Sequence, residues 1–201
     1  YNEKNERELE QLAELKWESP RSIKFLERVN HPSVPSIYPP MAQYVFLTVH
    51  FFQPDSILAM RLAFLIFDVL AFCFIIGILG KLGLNINMSG VYFWCPLIIK
   101  ETFNSTHLDI IGISFLCGSI YFLVHKRHTL ATFFLALGFL GKLYPAILFP
   151  LYIQACFQQC KKSKENPWRI PILNTLFFVG IIILGYIPFM GIGWHIFDGL
   201  K

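Results

Sequence analysis

The sequence predicts an all-α protein, a polytopic transmembrane bundle with an interfacial or re-entrant helix in its first external loop. Three observations carry this. The 201 residues are 55% hydrophobic and only 15% charged, where a soluble domain carries about 25% charged residues. The apolar residues fall in long runs parted by short ionisable corners. The basic residues cluster in those short connections, as they do when they set membrane topology. The formal net charge of +4 therefore does not point to nucleic acid. The five cysteines, Cys73, Cys95, Cys117, Cys156 and Cys160, lie almost entirely within apolar runs. They read as small packing residues, with no disulfide framework and no metal-ligand spacing.

Residues 1–55 are expected to form an external loop. Tyr1 to Lys16 is charged, and Leu9, Leu12 and Leu15 give it a thin apolar stripe, the pattern of a surface helix. Pro20, Pro32, Pro35, Pro39 and Pro40 then force extended chain. Pro39 and Pro40 suit the first turn of a helix. Met41 to Phe52 is apolar but spans only about 18 Å against a membrane core of about 30 Å. Its aromatic residues fit the interface.

Residues 56–187 are expected to form a bundle of about six spans. Ser56 to Gly80 is the clearest, with Arg61 and Asp68 close to one face. Either group facing lipid would cost on the order of 3 kcal/mol or more, so both should point into the bundle or towards the interface; the plainer reading is that Arg61 snorkels at the helix end. A span from Leu84 or Met88 to Ile99 is broken by Pro96. Leu108 to Val124, Thr129 to Leu140, Ala146 to Phe157 and Pro171 to Ile187 follow, with an interruption at Gly141 to Pro145. Thr129 to Ile153 is read as a hairpin rather than one kinked helix, because that keeps Lys161 to Arg169 on the cytoplasmic side. Residues 188–201 begin a further external loop. The chain opens on YNEKNERELEQ and closes on GWHIFDGLK, which reads as a piece of a longer chain.

The basic connections at Lys81, His125–His128 and Lys161–Arg169 belong inside the cell by charge counting. Alternation then gathers residues 1–55, the corner 100–109 and the Lys142–Tyr144 break on the opposite face. Between Val91 and Asp109 two apolar runs meet at Lys100, Glu101, Asn104, Ser105, Thr106, His107 and Asp109. Ionisable groups held at a membrane corner mark a functional site by default. Plainer readings stand beside this: a solvated loop, Asp109 as a helix cap, Lys142 snorkelling to the interface.

Three stretches resemble a known pattern. They are RVNHPSVPSIYPPMAQ (residues 28–43) with Arg61 and Asp68 after it, CPLIIKETFNSTHLD (95–109) and GKLYPAILFP (141–150). Together they resemble bacterial integral-membrane glycosyltransferases of the GT-C superfamily, close to the polyprenyl-phosphate-mannose-dependent mannosyltransferases. The resemblance implies a GT-C-like bundle and transfer of a hexose, mannose first, from a polyprenyl-phosphate sugar to a glycan or glycolipid acceptor. It also implies a bacterial plasma (inner) membrane, with the site facing outside or towards the periplasm. Beyond that lipid-linked donor no cofactor is implied, nor any metal. Cys95 stands where the family commonly has Asn, and Tyr144 where it has Thr or Pro. The family's acidic catalytic motif would precede Tyr1, leaving the catalytic residue unassigned. The candidate substrate-binding residues are His31, Tyr38, Lys100, Glu101, Asn104, His107, Asp109 and Lys142. Lys100, His107 and Lys142 would meet the phosphate. Glu101, Asn104 and Asp109 would meet sugar or acceptor hydroxyls, and His31 and Tyr38 would close the pocket. The competing classes are a lipid-linked sugar transporter or flippase and a non-catalytic membrane assembly subunit.

Overall fold

Eight α-helices follow one another between Pro40 and Tyr186, with no strand among the described residues. The structure is a computed structural model that describes residues 38–190 apart from 55, 164, 165 and 167. The expected surface helix, the segment around His31 and the tail beyond 190 lie outside the described residues. Helix α1 (Pro40–Phe52) starts as expected, with Pro39 at its N-cap and Pro40 in its first turn. Ala42 is buried, whereas Leu47, Phe51 and Phe52 are exposed. Its Tyr44 hydroxyl donates to the Gly185 carbonyl at 3.0 Å, which pins the helix to the end of the last one.

Helix α2 (Ile57–Lys81) is capped by Ser56, whose hydroxyl accepts from the Ala59 N–H. Gly83, at φ 69°, turns the chain after it. The return runs through a 3-10 turn (Ile86–Met88), α3 (Ser89–Phe93), α4 (Pro96–Ile98) and a π-helix (Ile99–Asn104). Side-chain pairs show that it runs antiparallel to α2. Phe93 meets Phe72, Tyr92 meets Asp68, and Arg61 donates to the Asn104 carbonyl at 3.3 Å. Arg61 and Asp68 thus both face this return segment, as their seven-residue spacing implies. The Tyr92 hydroxyl donates to Asp68 at 2.6 Å, giving the carboxylate a partner half-way along the helix, between the apolar stretches 62–67 and 69–80.

Helix α5 (Asp109–Val124) lies parallel to α2, pairing Phe115 with Phe67 and Tyr121 with Phe74. Helix α6 (His128–Gly141) folds back along α5. Gly118 allows this approach, because a Cβ there would collide with the Phe134 ring. After a 3-10 turn (Tyr144–Leu148) come α7 (Phe149–Ser163) and α8 (Arg169–Tyr186). Phe149 stacks on Phe178, and Phe157 meets Trp168, so α7 is antiparallel to α8. Phe133 stacks on Phe177, and Leu140 packs beside Gly185, so α6 is parallel to α8. The chain therefore does reverse between α6 and α7, as a hairpin. Ala131, Leu135, Ala136, Tyr152 and Phe178 make the core these three helices share.

The expected six spans are not all of full length. Among the described residues, Ile57–Lys81 and Arg169–Met190 are the two helices long and apolar enough to cross a membrane. Helices α5, α6 and α7, of 16, 14 and 15 residues, reach only about 21–24 Å. The return past α2 is divided because Pro96 cannot donate and pushes Cys95 out of the helical region, to ψ 113°. The apolar surface is nonetheless turned outward. Leu58, Ile66, Leu176 and Leu184 on the two long helices are all more than half exposed, an arrangement that soluble monomers avoid.

These directions sort the charges. Lys81, Lys126, Arg127, Lys161 and Arg169 gather at one end, with no acidic residue beside them among the described residues. Arg61, Lys100, Glu101, His107, Asp109 and Lys142 stand at the other. We expect single cysteines at Ser105 and Arg127, in a chain freed of its native thiols, to label from opposite faces of a sealed membrane. Labelling of both from one face would refute the arrangement. Removing the Asp68 partner by Tyr92→Phe should destabilise the fold by about 1–3 kcal/mol. Ile66→Leu, on exposed helix surface, should stay within about 0.5 kcal/mol. Equal unfolding midpoints in detergent for the two variants would show that the Tyr92–Asp68 bond contributes nothing.

Candidate functional site

The corner after Ile98 is built from unusual backbone. The π-helix closes with the Ser105 N–H donating to the Lys100 carbonyl and the His107 N–H to the Glu101 carbonyl, each at 2.9 Å. Thr106 is held at φ 56°. A β-branched residue is strained in that left-handed region. π-Helical turns and strained residues concentrate at functional sites.

Two ionic groupings result. His107 Nε2 lies 3.1 Å from Glu101, and the Lys100 ammonium 3.7 Å from the same carboxylate. Lys142 Nζ lies 2.6 Å from Asp109 Oδ1. The plainer reading of Asp109 as a helix cap is not met: no side chain caps α5, and Leu108 occupies the N-cap position. Asp109 instead ties the start of α5 to the end of α6. The helix dipoles favour this, placing an acid at an N-terminus and a base at a C-terminus. Gly112 makes room for the Lys142 stem, whose Cβ would sit 3.1 Å from a Cβ at that position. The Lys142 ammonium also lies 5.9 Å from the centre of the Tyr38 ring, within cation–π range. Tyr144 places its hydroxyl beside Gly112. Burial first, and then the Asp109 charge, push that hydroxyl up to about 12, so at neutral pH it remains a neutral donor.

A cavity of about 290 Å³ opens between α4, the π-helix and α5. Glu101, Thr102, His107 and Asp109 supply its polar part, and Leu97, Ile98, Ile110 and Ile113 its apolar part. Tyr92 lines it too, and its bond to Asp68 places it half-way along α2. The cavity thus joins a polar mouth to an apolar interior.

Of the expected site residues, Glu101, His107 and Asp109 share this cavity, and Lys142 with Tyr38 joins them through Asp109. Lys100 is exposed beside Glu101 and does not line it. Asn104 is exposed, and its carbonyl serves Arg61, which also lies over the Phe103 ring. His31 lies outside the described residues. Thr102, Tyr92 and Tyr144 were not foreseen. Tyr144 sits inside the third quoted stretch, and Thr102 inside the second; nothing in the sequence pairs Tyr92 with Asp68. No family model matches this chain, and no curated protein or solved structure is significantly similar to it.

Chemically, the arrangement offers two carboxylates, an imidazole and a lysine at one amphipathic opening. The Asp109–Lys142 pair is partly exposed, at 49% and 31%, and so contributes at most about 1 kcal/mol in water. It can open at small cost to let Lys142 meet a ligand anion. Replacing Thr106 by glycine relieves the left-handed backbone, and Thr106→Gly should raise stability by about 1 kcal/mol. Thermal unfolding of the two proteins in one detergent checks this; a lower midpoint for the glycine variant would show that the Thr106 side chain contributes more than its strain costs.

Proposed function

We propose that the chain belongs to a polytopic membrane glycosyltransferase, resembling the GT-C enzymes, which moves a hexose from a polyprenyl-phosphate donor to a glycan or glycolipid acceptor. The observation that carries the reading is the meeting of two separate helix breaks, at 99–109 and at Lys142–Tyr144, through the Lys142–Asp109 contact at the edge of one amphipathic cavity. A lipid-linked sugar needs such a place: its tail stays in the apolar phase while its phosphate and sugar require polar partners. The outward apolar surface of α2 and α8 supports a membrane setting. The gathering of Lys81, Lys126, Arg127, Lys161 and Arg169 at the far end supports an orientation with the cavity outside, in a bacterial plasma membrane.

In the reaction the acceptor hydroxyl attacks the anomeric carbon as the bond from that carbon to the phosphate oxygen breaks. The lipid phosphate leaves with the electron pair, and the hydroxyl proton passes to a base. Lys142, once released from Asp109, neutralises the developing phosphate charge. His107, which lines the cavity, supplies a donor, and the Tyr144 hydroxyl beside Gly112 a second one near Lys142. Glu101 and Asp109 orient sugar or acceptor hydroxyls, and Tyr38 covers Lys142. The base itself is left unassigned.

The broken helices would also suit a carrier of the same lipid. Sugar transfer from a polyprenyl-phosphate hexose, measured in membranes carrying the full-length protein, separates the two, since a carrier moves donor without forming product. Lys142→Ala should weaken donor binding about ten- to a hundredfold, the loss of one charge-assisted hydrogen bond. Asp109→Asn should cut turnover with the fold intact if the carboxylate meets substrate. If it only latches α5 to α6, stability falls and turnover per folded molecule does not. Wild-type transfer in Lys142→Ala, Asp109→Asn and His107→Ala alike would remove the site from consideration.

A further inference from the structure

The basic end carries a second site, independent of the transfer reading. Lys126 and Arg127 lie in the turn between α5 and α6, and with His128, Thr129 and Leu130 of α6 and Ile170 they line a cavity of about 360 Å³. The turn is rigidly made. Lys126 is held at φ 61°, its N–H donates to the Leu123 carbonyl, and the Arg127 N–H donates to the Phe122 carbonyl. The two long cationic side chains therefore leave from fixed points beside the cavity. Among the described residues neither has an acidic partner, since the ion pairs formed there all lie at the opposite end.

Three further features bear on what would fill the space. His128 Nδ1 is shielded from solvent and has no hydrogen-bond partner, a buried polar atom that the fold leaves unmatched. No side chain caps the first turn of α6, so its N–H groups remain open to an acceptor. The parallel course of α6 and α8 brings Ile170, in the first turn of α8, to the same cavity. Leu130 and Ile170 give it an apolar wall. Positive charge, open donors and an adjoining apolar surface together define the ligand chemistry.

The geometry points to a binding site for a phosphate ester in the Lys126–Leu130 cavity. Its oxygens take the charge of Lys126 and Arg127 and hydrogen bonds from the α6 first turn. The apolar wall favours the headgroup of an anionic lipid, whose glycerol and upper chains lie against Leu130 and Ile170; basic pockets between membrane helices bind such headgroups. A soluble phosphate is the other source with the same chemistry.

The test uses the purified protein in nanodiscs of phosphatidylcholine, with or without phosphatidylglycerol, and reads the thermal midpoint. Phosphatidylglycerol should raise the wild-type midpoint by about 2–4 °C. That rise should vanish in Lys126→Gly and Arg127→Gln and persist in Lys81→Gln, a basic residue of the same end outside the cavity. Glycine suits the positive φ at position 126, so loss of the response in Lys126→Gly is not a folding defect. In a second arm inorganic phosphate is added to phosphatidylcholine discs. A rise there that depends on Lys126 assigns the site to soluble phosphates and supports it. No wild-type response to either ligand overturns the site. Equal responses in wild type, Lys126→Gly and Arg127→Gln also overturn it, as does loss of the response in Lys81→Gln, which would indicate diffuse surface charge.

Discussion

Each break in an apolar helix frees backbone donors and acceptors, and these must be satisfied where water is scarce. That constraint decides where the polar side chains of this protein stand. Pro96 separates one helical run from the next, and after the short α4 the chain continues as a π-helix, at whose end the carbonyls of Lys100 and Glu101 accept from Ser105 and His107. Lys142 leaves α6 in an extended conformation, its N–H still bound to the Gly138 carbonyl, before Tyr144 and Pro145 start a 3-10 turn. Both breaks bring ionisable groups with them, and the α5–α6 hairpin sets the breaks side by side. The Asp109–Lys142 contact follows from helix directions already fixed by Gly118 and its neighbours, rather than causing them.

Much of this order was legible in the sequence. Pro39, Pro40 and Ser56 mark helix starts by chemistry that acts within one turn, and the helices begin there. The spacing of Arg61 and Asp68 placed both on one face because helical phase is rigid. The charge-based choice of a hairpin over residues 129–153 agrees with the pairings of Phe149 with Phe178 and Phe133 with Phe177. The bundle of about six spans was read too generously. Hydropathy reports the oiliness of a segment, but Pro96 and the Lys142–Pro145 interruption limit how far a single helix can run.

What the sequence hid depends on backbone geometry that no periodicity encodes. The i→i+5 bonding from Lys100 to Ser105 shifts the side-chain phase, so Glu101 and Thr102 face the cavity while Lys100 turns outward. Asn104 was chosen for its side chain and contributes its carbonyl. Tyr92 meets Asp68 through the packing of the return segment against α2, a contact between residues 24 apart that no local pattern encodes. In each case local chemistry was readable, whereas the partner depended on tertiary rotation.

The two ends of the bundle handle charge in opposite ways, and this difference bears on what each can bind. At the end with the acids, Lys142 and His107 already face carboxylates, so an incoming anion must displace Asp109 or Glu101. Because the Asp109–Lys142 pair is half in water, the exchange costs little, and the released carboxylate becomes free to accept from a hydroxyl. One contact can thus serve both halves of a ligand that carries a phosphate and a sugar. At the basic end no carboxylate stands beside Lys126 and Arg127 among the described residues. Relative to those described residues, an anion arriving there would meet no carboxylate to displace, and its binding would be sensitive to salt. The first arrangement suits a substrate that must be bound and released in turn. The second suits a resident ligand that anchors the turn between α5 and α6.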